Sequence, residues 1–526
     1  MLFSKSVKSS LHCLPSPDGG HIATLFATVV NVRAVRNLEV VNVVKLPQDF
    51  ASPVVGFQWS PSSRLLLVSN PIEIRVVSAL DDSFSATIRN PVAPGTKPAY
   101  VGFGVSDAEV CVIASFGVKF AVYDLASSKA VEIGSPKLFS PSAAARCFSF
   151  RPRTHHLALL TRTAGKDHIS LHTFPTRELQ RSWAPDTVDA QGLMWSPDGR
   201  WLVVWESAAQ GHKLLFYTSD GHIFRTWSGP TNPTPEYKDY AAGAGIRTVQ
   251  FSADARFLAI GDYSRSLYLF NMSSVTESMR LHHPSNLVPR DTLQIWQEQV
   301  GISQAGPSIH TFMRTSHAIS PSTRPQEGSD PASGCVSISF DPSSALVATR
   351  LDDSPGTVWI WDLQAAELRA VLLFHGNISS LSWHPTIHET LLVRCEGEQH
   401  SGVVFVWDPL SEGPRSVDFS QHLPAKVVGK SRTVWLGRDT SASPSLFLSD
   451  AQNYVLASLI ELDQGSPPWG DDCGVTEPAG DSRVTIREES PLELVPAAEN
   501  GADELSIGHD EGDSELELED TFIHKR

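Results

Sequence analysis

Leu193-Met194-Trp195-Ser196-Pro197-Asp198-Gly199-Arg200-Trp201-Leu202-Val203-Val204-Trp205 is a complete β-hairpin written in one short stretch. The apolar residues before Ser196 lead in as a strand, Ser-Pro-Asp-Gly supplies the residues of a tight turn, and Leu202 to Trp205 run back as the second strand. Soon afterwards Leu214-Leu215-Phe216-Tyr217 supplies a third strand.

The pattern recurs along the chain. Its clearest copies are Phe57-Gln58-Trp59-Ser60-Pro61, Val249-Gln250-Phe251-Ser252-Ala253-Asp254, Ile338-Ser339-Phe340-Asp341-Pro342 and Leu381-Ser382-Trp383-His384-Pro385, with weaker ones around Pro15, Phe103 and Phe150. Anchors at positions 15, 59, 103, 150, 195, 251, 340 and 383 are separated by 44, 44, 47, 45, 56, 89 and 43 residues. That is the spacing of a WD-type blade, about 40 to 45 residues. Two of the third strands, Val358-Trp359-Ile360-Trp361-Asp362 and Val404-Phe405-Val406-Trp407-Asp408, end in the Trp-Asp pair. Arg432 to Leu436, Ser445 to Leu448 and Tyr454 to Ile460 read as three strands of a partial ninth unit, which Leu2 to Val7 would complete and so close a ring.

One four-stranded unit cannot bury both faces, so the units must stack around an axis. The expected fold is an all-β WD-repeat β-propeller of eight or nine units, giving seven to nine blades, over residues 1–462. The wide gap marks an insertion at about 273–334, with Leu293-Gln294-Ile295-Trp296 as a strand candidate within it and Ile319 to Gly334 reading as a flexible loop. From Asp463 the chain turns Pro/Gly-rich and then acidic, the composition of a disordered tail over 463–526.

The formal charge of −16 lies mostly in that tail, where 18 Asp/Glu meet 4 Lys/Arg. The remainder is almost neutral, with 40 acids and 38 bases. No basic stripe points to nucleic acid. The six cysteines lie far apart without a C-x-x-C pair, as free thiols in a reducing compartment would. Neither a signal peptide nor an apolar run long enough for a membrane span is legible.

Chemistry leaves little trace. There is no G-x-S-x-G, H-E-x-x-H or Walker loop, so no catalytic residues, cofactor or small-molecule substrate are expected. The pairs His155-His156 and His282-His283 are too few as metal ligands, and Gly243-Ala244-Gly245 lacks the helix that phosphate binding requires. Protein contact is the remaining activity. Arg350, Asp352 and Asp353, in the hairpin loop Arg350 to Gly356, are its candidates, with a turn capped by Asp as the plainer alternative. Trp205, Glu206 and Trp359 are further candidates, with blade packing as the alternative for the tryptophans.

The block Ile338 to Asp362, the hairpin Trp195 to Glu206 with Lys213 to Gly221, Ile246 to Tyr263, His283-Pro284 before a long insertion, and the opening Phe3-Ser4 and Ser16-Pro17-Asp18-Gly19 together resemble one family, the centrosomal and spindle-pole-body proteins called WD repeat-containing protein eight. The resemblance is strongest from Leu193 to Asp408. It implies a cytoplasmic, cytoskeletal scaffold that anchors microtubule minus ends and helps assemble the mitotic spindle. The implied partners are a coiled-coil adaptor of the afadin-DIL-domain-interacting type and, in yeasts, a minus-end-directed kinesin. Rival readings from the residues alone are a ubiquitin-ligase substrate receptor, an RNA-metabolism assembly factor, and an enzyme with its site in the central channel.

Overall fold

The computed structural model describes residues 1–50, 53–89, 96–139, 146–230, 245–302, 308–323, 334–437, 444–459 and 469–470. These form nine sheets, antiparallel but for one strand pair, with no α-helix among the described residues. Eight sheets are met in chain order, beginning with Cys13–Pro15, His21–Phe26, Val29–Ala34 and Val40–Lys45 as blade 1. Each of the eight anchor residues is the last residue of its blade's first strand, as in Gly56–Trp59, Tyr100–Phe103, Ala190–Trp195 and Ile378–Trp383. The ring therefore has nine blades.

The repeat works through the polar residue that follows each anchor. In blade 5, Ser196 Oγ accepts from Trp201 N at 3.0 Å and donates to Asp198 Oδ1 at 2.5 Å, while Gly199 takes φ +72. Ser16, Ser60, Ser252 and Asp341 each accept the same backbone bond, five residues on, in their own blades. A short side-chain acceptor at this place satisfies a backbone donor that the turn would otherwise strand.

Blades are joined by packing and by riveting hydrogen bonds. Trp59 Nε1 donates to Leu14 O at 3.1 Å, Trp383 Nε1 to Ser339 O at 2.8 Å, and Trp435 Nε1 to Ser382 O at 3.0 Å. Each bond ties one first strand to that of the preceding blade. The first strands of blades 8, 9, 1 and 2 share one cavity of about 390 Å³, lined by Leu14, Trp59, Trp383 and Trp435, so the first strand is the innermost. Hydrophobic clusters join successive blades around the ring, as Ala23, Val30 and Val32 of blade 1 with Leu66, Val68 and Val77 of blade 2.

Closure follows the expectation for the N-terminus. Blade 9 has three strands of its own, Arg432–Leu436, Ser445–Ser449 and Asn453–Ser458, and its outer edge is completed by Leu2–Phe3 and Val7–Lys8. Ser4 N donates to Leu456 O, and Leu456 N donates to Ser4 Oγ, both at 2.9 Å. Val7, Cys13, Ile22 and Leu38 pack with Phe447, Tyr454 and Leu456, which seals blade 1 to blade 9. A Cβ on Gly19 would lie 2.2 Å from the Gly437 Cα, so glycine is obligatory at that φ of +75. Ser4→Ala is expected to cost about 1 kcal/mol. It should appear as faster amide exchange over Asn453–Ser458, and unchanged exchange would count against the seam.

Two boundaries differ from the spacing argument. Thr276–His282 is the outer strand of blade 6, so the insertion begins later than residue 273. Trp469 lies in the stretch read as tail, yet it is buried with Val35 and Leu38, and Gly470 N donates to Arg36 O at 2.8 Å. The expected disorder of the tail over 471–526, and most of the loop 319–334, lie outside the described residues.

Candidate functional site

The insertion builds a hairpin, Gln294–Ile302 and Ser308–Arg314, on the rim of the ring. Its first strand pairs in parallel with the outer strand of blade 7, Glu367–Leu373, and widens that blade to six strands. Leu293 to Trp296 is thus a strand, but one added outside an existing blade. Leu293 and Ile295 pack on Leu281, Val371 and Leu373, and Trp296 on Leu372 and Phe405. The hairpin also reaches blade 8, where Ser416 Oγ donates to His310 O at 3.2 Å. It therefore spans two blades.

Beneath it lies a buried polar cluster. Glu298 Oε1 accepts from His310 Nδ1 at 2.7 Å and from His400 Nε2 at 2.9 Å, and Oε2 accepts from His375 N at 2.7 Å. His375 Nε2 donates to Glu298 O at 3.1 Å. His310 Nε2 faces Gln399 O at 3.0 Å. Both partners of His310, the Glu298 carboxylate and the Gln399 carbonyl, are acceptors that a ring N–H can satisfy. Burial pushes the Glu298 carboxyl up, but the hydrogen bonds from His310 and His400 and the His400 charge outweigh it and hold the group at about 2. The donor atoms of Glu298, His310 and His400 lie within 4.8 Å of one another, the spacing of a metal centre. A metal would need the Nδ1 lone pair that the His310 proton occupies, so the set reads as a hydrogen-bonded ion pair.

Of the residues singled out in the sequence, Arg350, Asp352, Asp353 and Trp359 fall on the seam between blades 6 and 7. Arg247 Nη2 meets Asp352 Oδ2 at 2.6 Å, and Arg265 is paired with Asp353. The loop Arg350 to Gly356 therefore clamps blade 7 to blade 6 with its acids already engaged, which leaves little of it as a free docking loop. Burial lowers the Arg350 pKa, against a raising influence from Asp352. Trp359 is fully buried beneath Arg265, whose guanidinium lies 5.9 Å from its ring. Trp205 is buried in the seam between blades 5 and 6, and Gly192 must lack a side chain to admit its ring. Glu206 is buried and accepts from Val188 N, Asp189 N and Ser207 N at 2.6, 2.7 and 2.9 Å. These three positions pack and cap; they offer no surface to a partner.

His283 belongs to the same seam. Trp361 Nε1 donates to Thr349 Oγ1 at 3.1 Å, Thr349 donates to His283 Nε2 at 2.8 Å, and His283 Nδ1 donates to Arg265 O at 2.7 Å. Burial lowers the His283 pKa to about 3, and burial lowers that of His384, in blade 8, to about 4. Folded values below the unfolded value of 6.5 mean that the unfolded chain binds more protons, so stability falls as pH falls from 6.5 toward about 4. Denaturant unfolding near pH 5 should show uptake of about two protons from these residues. A flat stability profile across that interval would contradict their neutral burial.

No protein-family model matches the chain. The mouse WD repeat-containing protein WRAP73 is 24% identical over 431 residues, covering 78% of this chain and 87% of that protein. The chain is a WD-repeat protein. An uncharacterized WD repeat-containing protein of Schizosaccharomyces pombe is 22% identical over 468 residues, 86% of the chain and 89% of that protein. Among solved structures, one of a eukaryotic initiation factor aligns at a TM-score of 0.48 and 11% identity, over 77% of this chain and 87% of the other. One of the dihydro-heme d1 dehydrogenase NirN aligns at 0.45 and 12%, over 78% of each. Neither structural likeness bears on what this WD-repeat protein does. Its ring is read from the nine blades and from the two WD-repeat relatives. No helix among the described residues is long and apolar enough to cross a membrane.

Glu298, His310, His375 and His400 were not visible as a set in the sequence. They are separated by up to 102 residues in the chain, and only the apolar fragment Leu293 to Trp296 marks the strand that brings Glu298 into place.

Proposed function

We propose that this WD-repeat protein is a non-catalytic interaction scaffold at the microtubule-organising centre, the spindle pole body or centrosome. There it helps to anchor microtubule minus ends and to assemble the mitotic spindle, with a coiled-coil adaptor of the afadin-DIL-domain-interacting type and a minus-end-directed kinesin as partners. One observation carries this reading: the likeness to WRAP73 runs through 78% of the chain rather than through isolated repeats. The block Ile338 to Asp362, where the resemblance to the centrosomal family is most specific, forms three strands of blade 7, the blade that the rim hairpin enlarges. A rigid ring with a broadened rim suits the simultaneous binding of several proteins.

The test is a tagged copy expressed in native cells, imaged through mitosis and purified gently for mass spectrometry. Signal at the spindle poles together with recovery of a coiled-coil pole adaptor is the expected result. Recovery of ligase subunits or ribonucleoproteins without polar signal would overturn it.

A further inference from the structure

We infer that the cleft between blade 9 and blade 1 is a docking site for the chain's own acidic C-terminal tail, through the segment Glu515-Leu516-Glu517-Leu518-Glu519-Asp520. The cleft encloses about 860 Å³ and is lined by Lys5, Lys8, Arg33, Leu38, Val40 and Gly470. Lys5 and Lys8 come from the N-terminal segment that completes blade 9, and Arg33 from the third strand of blade 1. Glu39 is the one acid among the lining residues, so the walls are net basic.

The outer edge of blade 1 adds an apolar element. Its last strand, Val40–Lys45, ends the sheet without a further strand, and Val40, Val41 and Val43 are 41%, 50% and 44% exposed. The cross-strand register sets Arg33 opposite Val40 and Asn31 opposite Val43. Arg33, Val40 and Val43 thereby share one face, the face turned to the cleft. An exposed, apolar edge strand is a template for another extended segment. This chain already adds strands to an outer blade edge at blade 7.

The occupant follows from where the tail begins and from its charge. Gly470 lines the cleft itself, held by its bond to Arg36 O, so the described chain reaches its last residue at this site. Residues 471–526 carry 17 Asp/Glu against 4 Lys/Arg. Glu515 is 45 residues beyond Gly470, a contour far longer than the cleft, and an unstructured peptide of that length would span about 35–40 Å root-mean-square. In Glu515 to Glu519 acid and leucine alternate, matching Lys5, Lys8, Val7 and Val40 along the cleft. Tethering gives the segment an effective concentration on the order of millimolar, enough for a weak contact to be occupied.

Zero-length carbodiimide coupling of lysines to carboxylates in the full-length monomer tests this. The expected result is intrachain cross-links from Lys5 or Lys8 to residues 515–520, exceeding several-fold those from Lys129 and Lys166, which share the same tether but not the cleft. They should be lost in the L516S/L518S double variant, whose melting temperature should match that of the parent, and amide exchange over Val40–Lys45 should rise several-fold in that variant. Cross-links spread evenly over exposed lysines would overturn the inference, and so would links found only between two differently isotope-labelled copies.

Discussion

Glu298→Gln is expected to cost about 3–5 kcal/mol, because it removes the buried carboxylate that accepts from His310, His400 and His375. The loss should be local. Glu298 holds the rim hairpin to blades 7 and 8 through His375, His310 and His400, whereas the strands of the ring beneath keep their own ladders. Hydrogen exchange over Gln294–Ile302 and Ser308–Arg314 should therefore accelerate by about a hundredfold or more, as a free-energy loss of that size implies. The innermost strands should stay protected. Unchanged exchange in the hairpin would sink the account of the cluster as a lock. The same group carries a pH signature. Its folded value of about 2 lies below the unfolded 4.5, so its stabilisation is complete above 4.5 and disappears as pH falls toward 2. The contribution of this cluster to the hairpin should consequently be lost only below pH 4.5, after the histidine contribution has begun to fall. If the cluster is an ion pair rather than a metal centre, neither Zn²⁺ nor a chelator should shift the melting temperature.

Arg177→Met should be comparably damaging at a different seam, again by about 3–5 kcal/mol. Arg177 stands in the turn before the outer strand of blade 4 and reaches Glu109 at the start of a blade 3 strand, with Nε to Oε1 at 2.9 Å and Nη2 to Oε2 at 2.6 Å. Its third nitrogen donates to His155 O at 2.6 Å, and the guanidinium lies 5.2 Å from the Phe150 ring and 5.0 Å from the Phe174 ring. The two charged side chains are 1% and 3% exposed, so removal of the cation strands a buried carboxylate. Arg177→Lys should recover little, since an ammonium cannot make the bidentate fork. The double variant E109Q/R177M should lose less than R177M alone, and thermal or denaturant unfolding of the set gives the coupling directly. Additive losses would show that the pair is not a unit.

Both predictions concern contacts that the sequence hides, whereas the ring itself was open to inspection. The anchors Trp59, Trp195, Phe251 and Trp383 could be aligned because each is followed within a few residues by its own turn and return strand. A blade is a local object, legible in about forty consecutive residues. The seams are not local. Glu109 and Arg177 are 68 residues apart, Arg247 and Asp352 are 105 apart, and nothing at either end of such a pair announces the other. Hence Asp352 and Asp353 looked like the acids of a docking loop, although each was half of an inter-blade ion pair. Trp359 looked like a recognition residue for the same reason: its covering cation, Arg265, comes from the previous blade. Glu298 was missed outright, because the strand that carries it was legible only as an apolar fragment inside a long gap.

The seam between the first and last strands sets a schedule for synthesis. Ser4 is made 452 residues before its partner Leu456, and Asn453–Ser458 are among the last described residues to be made. Eight blades can assemble while translation continues, each with most of its contacts to hand. The ninth cannot close until Asn453–Ser458 have been made, and until then the nascent chain is an open arc. Closure is thus the last step of ring assembly, and a chain stalled or cut short of Asn453 would be left with unpaired edges for chaperones to shield.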